Sequence, residues 1–347
     1  MYYNWLDRWD ERRAQRGEEW KLKTNFALGG ELAFPGKEPS TTLSEFCDLA
    51  DQAVADAAYF AGPISGDDAF DRRDGWLRFR SDITTDVEEN NVVVAKITDG
   101  GCQDRALVVF HHWNATSWNH QLANFFAKRG ITVVEIAMPY HFERSRPGSR
   151  YADFMLSANI GRTLESMKQA VLDGRKLIRW LESQGYREIS LLGMSLGSWV
   201  AGLIAAHDRA VSKTSLLLTA GSLADMVWTG RATRSIRKSL EPAISLCDLR
   251  QAWAPLNLGN YSNGFSRPDL KLQVVLATRD TVVINDLSRS FLQSLWDAGV
   301  TPAVLKLNCG HYSLGRPPYI VITALSLRRF LVSGRTCPIH RGPCRRH

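Results

Sequence analysis

The chain has 347 residues, 44% of them hydrophobic, and a formal charge of +7 from 43 basic and 36 acidic side chains. That length permits one large core or two small ones. The charges are interspersed except at "RATRSIRKSL" (231–240) and the final "RGPCRRH". No RNP, helix-turn-helix or zinc-finger pattern accompanies them, so nucleic acid is not an expected partner. The opening "MYYNWLDRWDERRAQRGEEW" lacks the apolar run of a signal peptide, and the longest apolar stretch, around "SLLLTAGSLA", is too short to span a bilayer. A cytoplasmic protein without a membrane span is expected, and nothing in the sequence sets its oligomeric state.

Residues 1–75 read as a helical extension. Trp5, Leu6 and Trp9 follow helical spacing with Arg12 and Arg13 beside them, and Leu43–Gly62 forms a second helix. From Trp76, "WLRFRSDI" alternates apolar and polar residues, "TTDVEENN" supplies turn formers and "VVVAKI" is β-branched, which predicts an antiparallel hairpin. Strands and helices then alternate. "ALVVFHH" precedes a helix near 117–128, "ITVVEIAMP" a long one near 152–184, and "EISLLGM" one from Ser195 to about His207. "TSLLLTAG", "LKLQVVLATRD" and "TPAVLKLNCG" are three further strands, the last two bracketing a helix near 286–298. Apolar strands separated by amphipathic helices predict a mostly parallel sheet in a three-layer α/β/α sandwich, over 76–333. The interval of about 222–268 is too long for an ordinary crossover and is expected to form an inserted cap.

The cysteines Cys47, Cys102, Cys247, Cys309, Cys337 and Cys344 are widely scattered and are expected to be reduced thiols. Cys337, His340, Cys344 and His347 are zinc-ligand types at short spacing, but the segment is very compact and has no hydrophobic partner to fold around. Residues 334–347 therefore read as a basic tail, with no metal and no organic cofactor expected.

In a parallel sheet the reacting groups sit on loops at the carboxyl ends of strands. Ser195 follows "EISLLGM" within Gly193-Met194-Ser195-Leu196-Gly197, a G-x-S-x-G at a strand-to-helix turn. A serine hydroxyl is a weak nucleophile until a base takes its proton, and that base needs an orienting acid. Asp280 follows "LKLQVVLATR" and His311 follows "AVLKLNCG", in the order serine, acid, histidine, with Asp225 as the runner-up acid. The N–H of Leu196 and that of Trp113, with His112 N–H as the alternate, are expected to face a developing oxyanion. "MPYHFERSRPG" places Tyr140, His141, Arg144 and Arg146 near the pocket rim, with His112 and Trp228 also expected to contact an acyl substrate. Trp113, Trp118 and Trp228 are candidates for an apolar acyl wall.

From about Leu77 to Val332 the chain resembles the α/β-hydrolase superfamily, on the motifs "GMSLG", "TRD" and "CGHY". It is most similar to abhydrolase-domain proteins of unassigned substrate, on the "PY" and the "DGRKLIRWLESQGY" helix ahead of the serine. The resemblance implies hydrolysis of a small-molecule ester, thioester or amide through an acyl-enzyme, without cofactor. Two departures stand out: His111-His112 where a His-Gly is frequent, and Ser198 where a second glycine is frequent. An acyltransferase or peptidase would use the same residues. A non-catalytic fold whose Trp-rich amino-terminal helix docks a partner is the reading from another class.

Overall fold

The computed structural model describes residues 2–19, 24–38, 41–62, 69–102 and 104–333. The helices α1 (Tyr2–Glu19), α2 (Gly30–Ala33) and α3 (Leu43–Ala55) precede the sheet. The start of α3 is fixed by a capping box in which Thr42 and Glu45 satisfy each other's backbone N–H groups. β1 (Asp71–Arg73) already pairs with β2 (Trp76–Arg80), so the first strand falls within the segment read as helical. The expected hairpin joins β2 to β3 (Val92–Thr98).

There follow β4 (Arg105–Phe110), α4 (His120–Ala127), β5 (Thr132–Ile136), α5 (Ile160–Ser183), β6 (Glu188–Met194), α6 (Leu196–His207) and β7 (Val211–Leu217). Between β7 and β8 (Lys271–Ala277) the chain is helical: α7 (Leu223–Thr229), α8 (Arg234–Leu240), α9 (Leu246–Ala252) and 3-10 turns. The chain ends in α10 (Asn285–Asp297), β9 (Ala303–Leu307) and α11 (Tyr319–Val332). The nine strands lie in the order β1-β2-β3-β5-β4-β6-β7-β8-β9, antiparallel from β1 through the β3–β5 pair and parallel from β5 onward.

Side chains alternate across a strand, and β4 shows how this divides the core. Val108 and Phe110 face a core shared with α5, α6 and α10, whereas Leu107 and Val109 face one shared with α4, α11 and Leu6 of α1. The molecule is thus an α/β/α sandwich. Each fully buried aliphatic side chain contributes about 1.5–3 kcal/mol, and both faces of the central strands are covered. The inserted helices are tied to the sandwich by Trp253, whose indole N–H donates to Ile160 O at 3.1 Å, and by α3, whose Cys47 thiol donates to Asp248 O.

Cys47, Cys247 and Cys309 are free, as expected, but Cys102 is disulfide-bonded. Pairing is set by Cα separation in space, to which spacing along the chain is no guide. Among the described residues no helix is long and apolar enough to cross a membrane, and no group of three His, Cys, Asp or Glu is placed to hold a metal. The Cys337, His340, Cys344 and His347 set lies outside the described residues.

Candidate active site

Ser195 stands where β6 turns into α6, with φ 51° and ψ −122°, a conformation rarely adopted by a residue with a side chain. The flanking glycines make the turn possible. A Cβ on Gly193 would lie 2.4 Å from Gly197 O, and one on Gly197 would lie 2.4 Å from both Phe110 O and His111 O. The turn is therefore packed backbone to backbone against the end of β4. Ser195 N–H donates to Leu217 O at 2.9 Å, and the Ser198 hydroxyl donates to Ser195 O at 2.6 Å, so serine in place of a second glycine adds a bond to the turn.

Three strand ends bring their side chains together here. His311 Nε2 lies 3.0 Å from Ser195 Oγ, and His311 Nδ1 lies 2.7 Å from Asp280 Oδ2. An ionised carboxylate only accepts, so Nδ1 carries the proton and Nε2 is left to accept from the serine hydroxyl. The other oxygen of Asp280 accepts the N–H groups of Val282 (2.7 Å) and Val283 (2.8 Å), which fixes the carboxylate in its turn. Asp225 goes elsewhere: it lies in the first turn of α7, where its N–H donates to the hydroxyl of the N-cap Ser222, and its carboxylate pairs with Arg250 of α9. The first N–H groups of α6, Leu196 among them, have no acceptor within the helix and sit beside Ser195.

The loop after β4 is held from two sides. His141 Nε2 accepts the N–H of Asn114 (2.9 Å), which obliges its Nδ1–H to donate to Pro139 O (2.8 Å). His111 Nε2 accepts the N–H of Met138 (3.1 Å) while its Nδ1–H donates to His112 O (2.9 Å). The two rings meet edge to face, 4.5 Å between centroids. Burial keeps both imidazoles neutral, pushing His111 well below its ordinary value and His141 down to about 4. Asn114 Oδ1 accepts from Ala152 N, and the Trp113 indole N–H donates to Ala152 O at 3.0 Å. The doubled histidine at 111–112 is thus part of a cross-link between the ends of β4 and β5.

Several residues expected at the rim are placed otherwise. Tyr140 is buried, with its hydroxyl accepting from Arg162 on α5. His141 spends both ring nitrogens on backbone. Arg144 is fully buried, paired with Asp173 at 2.9 Å and donating to Asn90 O and Ala137 O. Arg146 lies over the Phe154 ring. Trp118 packs against Trp76 and Phe142 rather than walling a pocket, and Trp228 lies beneath Arg237 of α8. The segment after β5 hydrogen-bonds inward because its polar groups leave the strand below the surface, a matter of depth that residue type does not reveal. His112 is exposed, and the charge of His311 acts on it. Although solvent reaches it, surrounding protein atoms, then the charges of His311 and Arg13, push its imidazole down to about 4.

A small cleft beside Trp113, lined also by Asp153, Leu156 and Ile236, adjoins this loop. A wider cavity, between Phe265, Leu272, Val300 and Phe330, opens at the amino ends of β8 and β9, the opposite edge from Ser195.

No protein-family profile matches the sequence, and no curated protein is significantly similar to it. Solved structures do match. An acylaminoacyl peptidase of Pyrococcus horikoshii aligns at a TM-score of 0.58 and 15% identity over 77% of this chain and 42% of its own. A puromycin-hydrolyzing peptidase of Mycobacterium tuberculosis aligns at 0.57 and 14% over 76% and 39%. This chain spans about two fifths of the length of those peptidases. Acetyl xylan esterase 1 of Thermoanaerobacterium sp. JW/SL YS485 aligns nearly end to end, at 0.57 and 14% over 92% and 97%.

Proposed function

Because this chain has the α/β-hydrolase fold, we propose that it is a serine hydrolase cleaving an ester or related acyl bond through a covalent acyl-enzyme. The observation that carries the reading is the chain of contacts from Ser195 Oγ through His311 to Asp280, at 3.0 and 2.7 Å.

The roles follow from the donors and acceptors. Ser195 Oγ attacks the acyl carbon as His311 Nε2 takes its proton, and Asp280 holds the imidazolium that forms. The carbonyl oxygen becomes an oxyanion facing the N–H of Leu196 and that of Trp113 or His112, in a loop already fixed by His111, His141 and Ala152. Nε2 returns the proton to the leaving group, and water then repeats the sequence to release the acid. The neutral His112 adds no second positive charge to compete with the imidazolium.

A fluorophosphonate probe tests this directly. It should label the folded wild type and not Ser195→Ala, and a panel of p-nitrophenyl esters of rising chain length should then rank the acyl preference. A folded wild type that takes no label overturns the reading.

A further inference from the structure

The amino-terminal helix buries an unusual stripe. Among its described side chains, Leu6, Asp10 and Ala14, four residues apart and hence on one face, are the buried ones at 1%, 4% and 0% exposure, while Tyr2, Tyr3 and Trp5 stay exposed. An ordinary docking stripe is apolar throughout, and here its centre is a carboxylate. Leu6 sits in the core with Cys309, Leu314 and Tyr319, which flank the His311 loop in sequence. Asp10 Oδ1 accepts the N–H of Tyr312 at 2.6 Å and that of Ser313 at 3.1 Å, the two residues directly after His311. The residue before it, Gly310, has no room for a Cβ because Asp10 Oδ2 would lie 2.5 Å away.

The same helix holds the acid's loop. Asp7 forks onto Arg279, the residue preceding Asp280, with Nε to Oδ1 at 2.7 Å. Arg279 N–H in turn donates to Cys309 O at 2.9 Å, joining the two loops to each other. Glu11 pairs with Arg231 at the start of the inserted helices. Asp10 Oδ2 is buried with no hydrogen-bond partner, an unsatisfied acceptor that carries a cost in stability. A carboxylate retained at that expense serves the geometry of what it touches.

We propose that α1 belongs to the active site, with Asp10 as a positioning residue that sets the His311 loop, and Asp7 the Asp280 loop, in register against Ser195. The catalytic meaning of this register rests on the serine-hydrolase reading, whereas the positioning itself does not.

Asp10→Leu removes the acceptor while completing an apolar stripe, and Asp10→Asn keeps an Oδ1 acceptor in place. Asp10→Leu leaves the Tyr312 and Ser313 N–H groups without their acceptor, so it should fold with a melting temperature somewhat below wild type, lose about 30- to 100-fold in kcat on a p-nitrophenyl ester, and change KM little. Asp10→Asn should stay within about threefold of wild type, since the acceptor that orders the loop remains. Should Asp10→Leu match wild type in kcat, or both variants slow equally, the proposal falls. Proton NMR gives a readout independent of turnover. The downfield His311 Nδ1–H resonance should broaden in Asp10→Leu, with faster exchange of the Tyr312 and Ser313 amides, and persist in Asp10→Asn. An unchanged resonance and unchanged exchange in Asp10→Leu overturn the positioning even if no ester is ever turned over. Their loss in a protein that ignores fluorophosphonate leaves the positioning standing and the hydrolase reading overturned.

Discussion

The His141 imidazole accepts the Asn114 N–H while standing edge-on to His111, so two neutral histidines bridge the loops that end β4 and β5. Each would have to lose an acceptor to take up a proton. Their folded-state pKa values lie below the ordinary 6.5, with His141 at about 4. The unfolded chain therefore binds protons that the folded chain refuses, and the stabilisation, complete above about pH 6.5, is lost as the pH falls toward 4. Each histidine contributes a slope of up to about 1.4 kcal/mol per pH unit in that window. Melting temperature measured from pH 7 to 4.5 should fall steadily in wild type and less steeply in His141→Gln, which cannot titrate. Parallel curves for the two proteins would count against the bridge.

The two candidate acids separate by mutation. Asp280→Asn should cut kcat by about 10³- to 10⁴-fold because the imidazole loses its orienting acceptor. Asp225 instead pairs with Arg250, whose side chain is half exposed, so Asp225→Asn should cost at most about 1 kcal/mol in stability and leave the kcat deficit of Asp280→Asn unmatched. Steady-state kinetics on one ester decides it, and a larger loss in Asp225→Asn would reassign the acid.

Two glycines of α6 should respond differently to alanine. At Gly197 the new methyl meets backbone carbonyls of Phe110 and His111 at 2.4 Å, which nothing nearby can relieve except movement of the serine turn. At Gly202 it meets the Leu258 side chain at 2.9 Å, which can rotate. Gly197→Ala should destabilise at or beyond the upper end of the about 1–3 kcal/mol typical of overpacking, and Gly202→Ala near the lower end. Chemical denaturation of the pair reads the contrast, and equal losses would refute it.

Arg144 and Asp173 are both fully buried and paired. Asp173→Ala leaves the guanidinium without its counter-charge and should cost about 3–5 kcal/mol, more than any surface pair of this protein. Urea unfolding measures it; a cost under about 1 kcal/mol would mean the arginine finds water on its own.

Fold and candidate site differed in how much the sequence disclosed. The alternation of β4 and β6 with their helices was readable because apolar periodicity is local, and the placement of Ser195, Asp280 and His311 at strand ends followed from it. The fate of Arg144 and Tyr140 was not, since burial depends on the depth at which a loop leaves its strand. Asp10 left a trace in the Leu6-Asp10-Ala14 spacing, but an acid on a highly charged helix looks solvated until its partners, some three hundred residues away, are brought to it. The disulfide at Cys102 left none.

Of the six non-glycine residues with positive φ among those described, Asn114, Tyr140, Phe142, Ser195 and Leu218 all follow the carboxyl ends of β4 to β7, and only Asp74 lies elsewhere. Such conformations cost on the order of 1–3 kcal/mol each, against a total stability of about 5–15 kcal/mol for a folded protein. Tolerance to mutation should therefore be lopsided. The amino ends of the strands can absorb change, while the opposite rim already sits close to the limit, so selection for thermal robustness should gather its gains on the face away from Ser195.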